Sequence, residues 1–460
     1  LLQDAGTLLE CGYNRMVGGR PTSSRQNNKL SKEPLESKLE REKNPVKRLL
    51  IVLGPGLITG ASDDDPSGIG TYTQAGAAFG FATLWTAPVT LPMMAAVQLI
   101  CAKIGMVSGM GLSGVLRKHY ARWVVYGSIS LLVIANTINA GTDIGAIAAA
   151  INLLLPIPAL ALVVPVAIGI VTVQILGSYA LISRIFKWLT LTLFAYIAAA
   201  FFAKPHWREV LMGTVIPTFR LDHQYLMTLV AILGTTISPY LFFWQASQEV
   251  EEELNMGRLT LAEREGATDQ EIRIAEIDVN AGMVFASVVF YFVILASAAT
   301  LHVAGKTNIQ TATDAAEALK PLSGGAASIL FALGLIGSGF LAVPVLTGAS
   351  AYAIGEAFGW QCGLDEKLHR APRFYAVIIV STLVGMLINF LRIEPVTALF
   401  WTAVINGVLA PPLLVMIMLV SNNKEVMGQR VNGKLTNFIG WTTAAVMFAA
   451  ALGMFVTWGK

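Results

Sequence analysis

The chain has 460 residues, 55% of them hydrophobic and 13% charged, with a mean hydropathy of +0.62 and a net charge of +3. A soluble domain carries about 25% charged residues, so this composition belongs to a membrane protein. Its apolar stretches are about 20 residues long, which suits helices and not the short alternating strands of a barrel. So small a net charge offers nucleic acid no basic surface, and Cys11, Cys101 and Cys362 are too scattered for a disulfide framework or a metal site.

Residues 1–48 mix Arg, Lys, Glu, Asn and Ser with few apolar side chains. They read as a largely disordered cytoplasmic tail ahead of a transmembrane domain over 49–458. Eleven spans follow, near 50–80, 82–106, 123–150, 159–178, 184–203, 225–248, 280–303, 325–357, 373–391, 396–420 and 437–458. The connections are short except for a charged loop over 249–278. Lys and Arg gather in the tail and in alternate connections, with Lys103, Arg117, Lys118 and Arg122 in one and Arg258, Arg264 and Arg273 in another. This places the N-terminus in the cytoplasm, in an inner or plasma membrane. Trp85, Trp123, Trp188, Trp401, Trp441 and Trp458 fall near span ends, where an aromatic belt belongs.

The first span carries Ser62-Asp63-Asp64-Asp65-Pro66-Ser67-Gly68 inside an otherwise small and apolar stretch. Three carboxylates at membrane depth are costly, so they read as lining a cavity. Pro66 removes a backbone donor and should break the helix. The sixth span carries Gly234-Thr235-Thr236-Ile237-Ser238-Pro239-Tyr240, with a second break expected at Pro239. Broken helices in corresponding positions of two halves mark the binding site of a secondary transporter. They suggest a repeat in which spans 1–5 match spans 6–10 upside down, with the eleventh added. The candidate cation ligands are Asp65, the Thr235 carbonyl that Pro239 would free, and the Ser67 and Ser238 hydroxyls. All are hard oxygens, suited to Mg²⁺, Ca²⁺ or Mn²⁺. Helix capping by one of the three aspartates is the alternative, and Pro239 could be a simple kink.

Asp143 in the third span and Asp64 are further candidates for a permeation path or proton relay. Asp143 could equally make an interhelical hydrogen bond to Asn139 or a neighbour. Asn406 could face the site or only pack. The five histidines fall in loops or at span ends, so no imidazole is expected at the midplane. Glu249, Glu251, Glu252 and Glu253 read first as a solvated charge run and second as an inner mouth that attracts cations. There is no nucleophile–base pair or metal triad of a membrane enzyme. No resident cofactor is expected, and the partners would be the transported ion and the lipid, with no obligate protein partner.

These residues resemble the NRAMP family of divalent-metal transporters from about Val52 through the tenth span. Gly54-Pro55-Gly56 precedes Asp65-Pro66-Ser67-Gly68 at the family's spacing, Gln74-Ala75-Gly76 follows, and Thr347-Gly348 is kept in the eighth span. The resemblance implies an all-α polytopic protein of LeuT-like fold, with broken helices 1 and 6. It also implies alternating access and a metal site at Asp65 and the position now Gly68. The departures fall on that site. Gly68 stands for the family's Asn, Ser238 for its metal-binding Met, Tyr240 for its proton-linked His, Ala140 for one of two span-3 acids, and Ala403 for a span-10 Gln. Losing the thioether removes the preference for Mn²⁺ and Fe²⁺, and small residues at 68 and 403 would leave room for a partly hydrated ion. This is similar to the divergent NRAMP-related magnesium transporters, thought to work without coupled protons. The reading is a carrier of Mg²⁺, with Mn²⁺ as a further substrate, into the cytoplasm. The alternatives are a proton-coupled Mn²⁺/Fe²⁺ symporter and a sodium-coupled symporter of organic solutes.

Overall fold

The computed structural model describes residues 54–176, 194–320, 327–364, 366–391 and 393–458. The expected tail, the start of the first span and residues 184–193 of the fifth lie outside them. Among the described residues the chain is helical without strands, and nine helices are long and apolar enough to cross a membrane. It is an integral membrane protein.

The first span is two half-helices, α1 (Pro55–Asp63) and α2 (Pro66–Phe79). Then come α3 (Thr86–Ser108), α4 (Leu112–His119), α5 (Arg122–Leu154), α6 (Ala159–Leu176), α7 (Ala195–Phe202) and α8 (Trp207–Val215). The sixth span is again two pieces, α9 (His223–Thr236) and α10 (Pro239–Asn255). The chain finishes with α11 (Asp269–Ser297), α12 (Ala327–Phe358), α13 (Pro372–Leu387), α14 (Pro395–Ser421) and α15 (Lys434–Val456).

Both breaks fall where proline dictates. Pro66 and Pro239 each open a half-helix, where the missing N–H costs nothing. The residues before them, Asp65 (ψ 170°) and Ser238 (ψ 128°), are extended, as proline requires of its predecessor. The loop expected over 249–278 is shorter. The helix α10 runs on to Asn255, and α11 starts at Asp269 because Thr268 and Glu271 form a reciprocal capping box.

Packing follows the expected inverted repeat. The second half of the first span packs on α11 and the second half of the sixth on α3. Likewise α6 packs on α5 as α13 packs on α12, while the α3–α11 and α5–α12 pairs lie between the halves. Small residues let the backbones approach. A Cβ on Gly76 would lie 2.4 Å from the Ile294 carbonyl oxygen, and one on Gly105 2.4 Å from that of Ala246. Trp123 and Trp458 lie exposed at helix ends, as a lipid-interface belt requires, whereas Trp85 is buried.

Candidate metal site

Breaking a helix at proline frees one carbonyl four residues earlier, because the proline has no N–H to donate to it. For Pro66 that carbonyl belongs to Ser62, and for Pro239 to Thr235. The structure satisfies both with hydroxyls. Tyr240 Oη donates to the Ser62 oxygen at 2.8 Å, tying α10 to the end of α1. Ser238 Oγ lies 2.7 Å from the Thr235 oxygen and 3.0 Å from the Gly234 oxygen. The Thr235 carbonyl, expected from sequence to be free, is thus covered by its own neighbour.

The two breaks face one another. Ser67 Oγ and Thr235 Oγ1 are 3.5 Å apart. A Cβ on Gly68 would come within 3.2 Å of both Thr235 Oγ1 and the Tyr72 ring, so the space expected to be open at Gly68 is filled.

The three consecutive aspartates have different surroundings. Asp65 is the N-cap of α2. Its Oδ1 accepts from Ser67 Oγ at 2.6 Å and from the Gly68 amide at 2.7 Å, and its Oδ2 from Asn139 Nδ2 at 3.2 Å. The capping alternative therefore describes Asp65. Asp63 closes α1 and Asp64 caps its C-terminal end. Both are buried, and none of their four carboxylate oxygens has a hydrogen-bond partner. Asp143 on α5 is buried with both oxygens unpartnered, so the hydrogen bond to Asn139 envisaged from sequence is not made; Asn139 donates to Asp65 instead. Asp63, Asp65 and Asp143 all lie close enough to Tyr240 to act on it electrostatically. Asn406 is buried on α14 with its Oδ1 unpartnered, beside Gly407, whose backbone meets that of Val230.

Among the described residues no three His, Cys, Asp or Glu side chains converge as a ready metal cluster. A cation here would take its oxygens from carboxylates, hydroxyls and carbonyls together.

The acidic run after the sixth span is not wholly solvated. Glu249 and Glu253 are buried, and only Glu252 of the four is exposed. Glu249 accepts from Gln245 Nε2 at 2.8 Å, and Gln245 Oε1 accepts from Thr59 Oγ1 at 2.5 Å, a polar chain between α10 and α1. Asp278 escaped the sequence reading. Its Oδ1 accepts from the amides of Gly54 (2.8 Å) and Leu57 (3.1 Å) and its Oδ2 from that of Gly56 (2.6 Å), capping α1 from α11. A partner more than 200 residues away leaves no local sequence signal. The i,i+4 spacing of Gln245 and Glu249 was such a signal and could have been read.

Known proteins of similar structure share this arrangement of helices. A manganese transporter from Eremococcus coleocola, in complex with an aromatic bis-isothiourea substituted compound, superposes with a TM-score of 0.73 at 17% identity, covering 93% of this chain and 89% of that one. A mutant form of that transporter gives 0.68 at 20% identity, covering 90% and 88%. Mhp1, a nucleobase-cation-symport-1 family transporter in a closed conformation, gives 0.53 at 16%, covering 88% and 92%. At such identities these likenesses speak for the fold. Residues 56–457 match the profile of the natural resistance-associated macrophage protein-like proteins, nearly the whole membrane domain, and the chain therefore belongs to this Nramp family.

Proposed function

We propose that this protein is a secondary carrier that moves divalent metal cations, Mg²⁺ with Mn²⁺ through the same site, into the cytoplasm by alternating access. Family membership and the fold shared with a manganese transporter support the carriage of a divalent metal. The observation that carries the choice of ion is the donor set. Where the two breaks meet, Ser67 faces Thr235 beside Asp65, and Ser238 stands where the resemblance places a thioether, so the candidate donors there are oxygens. Hard oxygens suit Mg²⁺ and also accept Mn²⁺, and they give a softer metal no advantage. An anionic organic substrate would be repelled by the same carboxylate. Nothing in this donor set pairs a nucleophile with a base as an enzyme would.

In this reading Tyr240 is a strut, since its hydroxyl is spent on the Ser62 carbonyl. With no imidazole beside the site, metal entry is not expected to carry protons. The Lys and Arg distribution supports a cytoplasmic N-terminus in an inner or plasma membrane. The test is uptake into proteoliposomes, with Mg²⁺, Mn²⁺ and Ca²⁺ compared at one pH. Mg²⁺ should enter at millimolar concentration and slow Mn²⁺ entry. The ion assignment fails if Mn²⁺ is carried while a large excess of Mg²⁺ neither enters nor competes.

A further inference from the structure

Asp65 spends its two oxygens unequally. Its Oδ1 accepts from Ser67 Oγ at 2.6 Å and from the Gly68 amide at 2.7 Å, both at the start of its own half-helix. Those are the bonds of an N-cap. Among the described residues its Oδ2 accepts from one donor, Asn139 Nδ2 at 3.2 Å, which comes from α5. A carboxylate offers about four acceptor positions over its two oxygens. Oδ1 is thus filled and Oδ2 keeps one position open. A cation held by Asp65 is held through Oδ2, beside the Asn139 amide.

The Asn139 side chain is fully buried, and it does more than cap a neighbour. Its orientation follows from chemistry, because turning the amide over would set its oxygen against the Asp65 carboxylate, acceptor on acceptor. With Nδ2 on Asp65, the Oδ1 atom is left buried without a partner among the described residues. A hydrogen bond that served Asp65 alone would need a donor and no such orphan, and a buried acceptor left unpaired is costly. The turn that carries Asn139 is also anchored. Its carbonyl accepts from Thr142 Oγ1 at 2.9 Å, and that hydroxyl lies 3.4 Å from Thr402 Oγ1 on α14.

We propose that Asn139 positions Asp65 for the transported cation and offers its own Oδ1 to that ion's coordination or hydration shell. This role rests on the reading of the protein as a divalent-metal carrier through Asp65. The amide nitrogen aims Oδ2, and the amide oxygen takes the ion or one of its waters. A neutral oxygen suits an ion that keeps part of its water, because it accepts from that water and adds no charge to the site.

The test uses the purified full chain in detergent, with Mg²⁺ or Mn²⁺ alone as the probe. The variants are Asn139→Asp and Asn139→Leu, studied at mildly alkaline pH so that carboxylates ionise. Asn139→Asp keeps the shape and an oxygen, loses the donor and sets two carboxylates side by side. Its metal-free Tm should fall, and added metal should raise its Tm by more than it raises that of the wild type. A variant that folds only with metal present shows the same relief at its limit. A purely structural bond, or an oxygen served by an ordinary buried water, would lower Tm equally with and without metal, and that result overturns the role. Asn139→Leu removes donor and acceptor at similar volume and should bind metal about tenfold more weakly by calorimetry. Wild-type affinity there also overturns the role, and if Asn139→Leu does not fold, Asn139→Asp decides alone. Both refuting results leave the carrier reading standing as long as the wild type binds metal. A wild type that neither binds nor carries either ion removes that reading, and this role with it.

Discussion

Removing the Asp278 carboxylate should release α1. The half-helix has nine residues, too few to be stable alone, so its position depends on what holds it. Asp278 takes three amides of its first turn, at 2.6, 2.8 and 3.1 Å. Hydrogen bonds to a charged acceptor contribute about 1.5–3 kcal/mol each. They do not add fully here, because the Gly54 end is only partly buried and its amides can recover water. A net loss of about 3 kcal/mol is a fair figure for Asp278→Ala, which multiplies the undocked population by about 150 at 1.36 kcal/mol per tenfold. Asp278→Asn keeps one oxygen but points an amide N–H at a backbone donor, so its effect should be smaller, about tenfold. The readout is the rate at which a membrane-impermeant thiol reagent, present on both sides of the membrane, modifies Ser62→Cys in a background without the native cysteines. Ser62 is fully buried with α1 docked. A rate unchanged by Asp278→Ala would refute the idea that this cap holds the half-helix.

Four substitutions and one flux measurement test the site and the packing around it. Asp65→Asn should abolish metal uptake with the protein still folded, because an amide oxygen can still accept from Ser67 and Gly68 while the charge that the resemblance places on the ion is gone; wild-type uptake would take Asp65 out of the mechanism. Ser238→Met should move preference towards Mn²⁺, read as the ratio of Mn²⁺ to Mg²⁺ uptake, and no change in that ratio would deny the thioether argument. Gly60→Val should lower the yield of folded protein sharply, since a Cβ there would sit 2.2 Å from the Gly282 carbonyl oxygen, whereas Gly127→Ala, in open space, should be silent. Metal uptake into vesicles loaded with a pH dye should bring little acidification; strong metal-dependent acidification would favour a proton-coupled symporter instead.

How much of this was legible in the sequence depended on how local the cause was. Proline acts on its own helix, so the breaks at Pro66 and Pro239 could be placed to within a residue or two. Hydropathy gave most spans, but it stopped short at α11, whose first turns are polar and held by a capping box instead. Long-range pairings were not legible: nothing near Asp278 announces that it caps α1, and nothing near Asn139 announces Asp65. The filling of the space at Gly68 was hidden in part for the same reason. A missing side chain reads as room in a sequence, yet Tyr72 one turn along α2 and Thr235 from the sixth span occupy it; only the second is remote.

The departures from the family pattern compensate one another. A broken helix ordinarily offers a cation the carbonyl that its proline has freed. Here each freed carbonyl already has a hydroxyl on it, Ser62 from Tyr240 and Thr235 from Ser238, and these two residues stand where the resemblance places an imidazole and a thioether. The same substitutions that remove the soft and titrating groups thus engage the neutral oxygens. An ion at this junction would find fewer carbonyls than in an ordinary broken-helix site and would depend on carboxylates. The sequence supplies an excess of them at that point, Asp63 and Asp64 beside Asp65. Charge in place of carbonyl ligation is a consistent design for a hard ion that sheds water reluctantly, because a carboxylate can hold such an ion directly or through one of its waters. By this argument Ser238, Tyr240 and the acidic run form one unit, and restoring any single family residue should leave the others poorly matched to it.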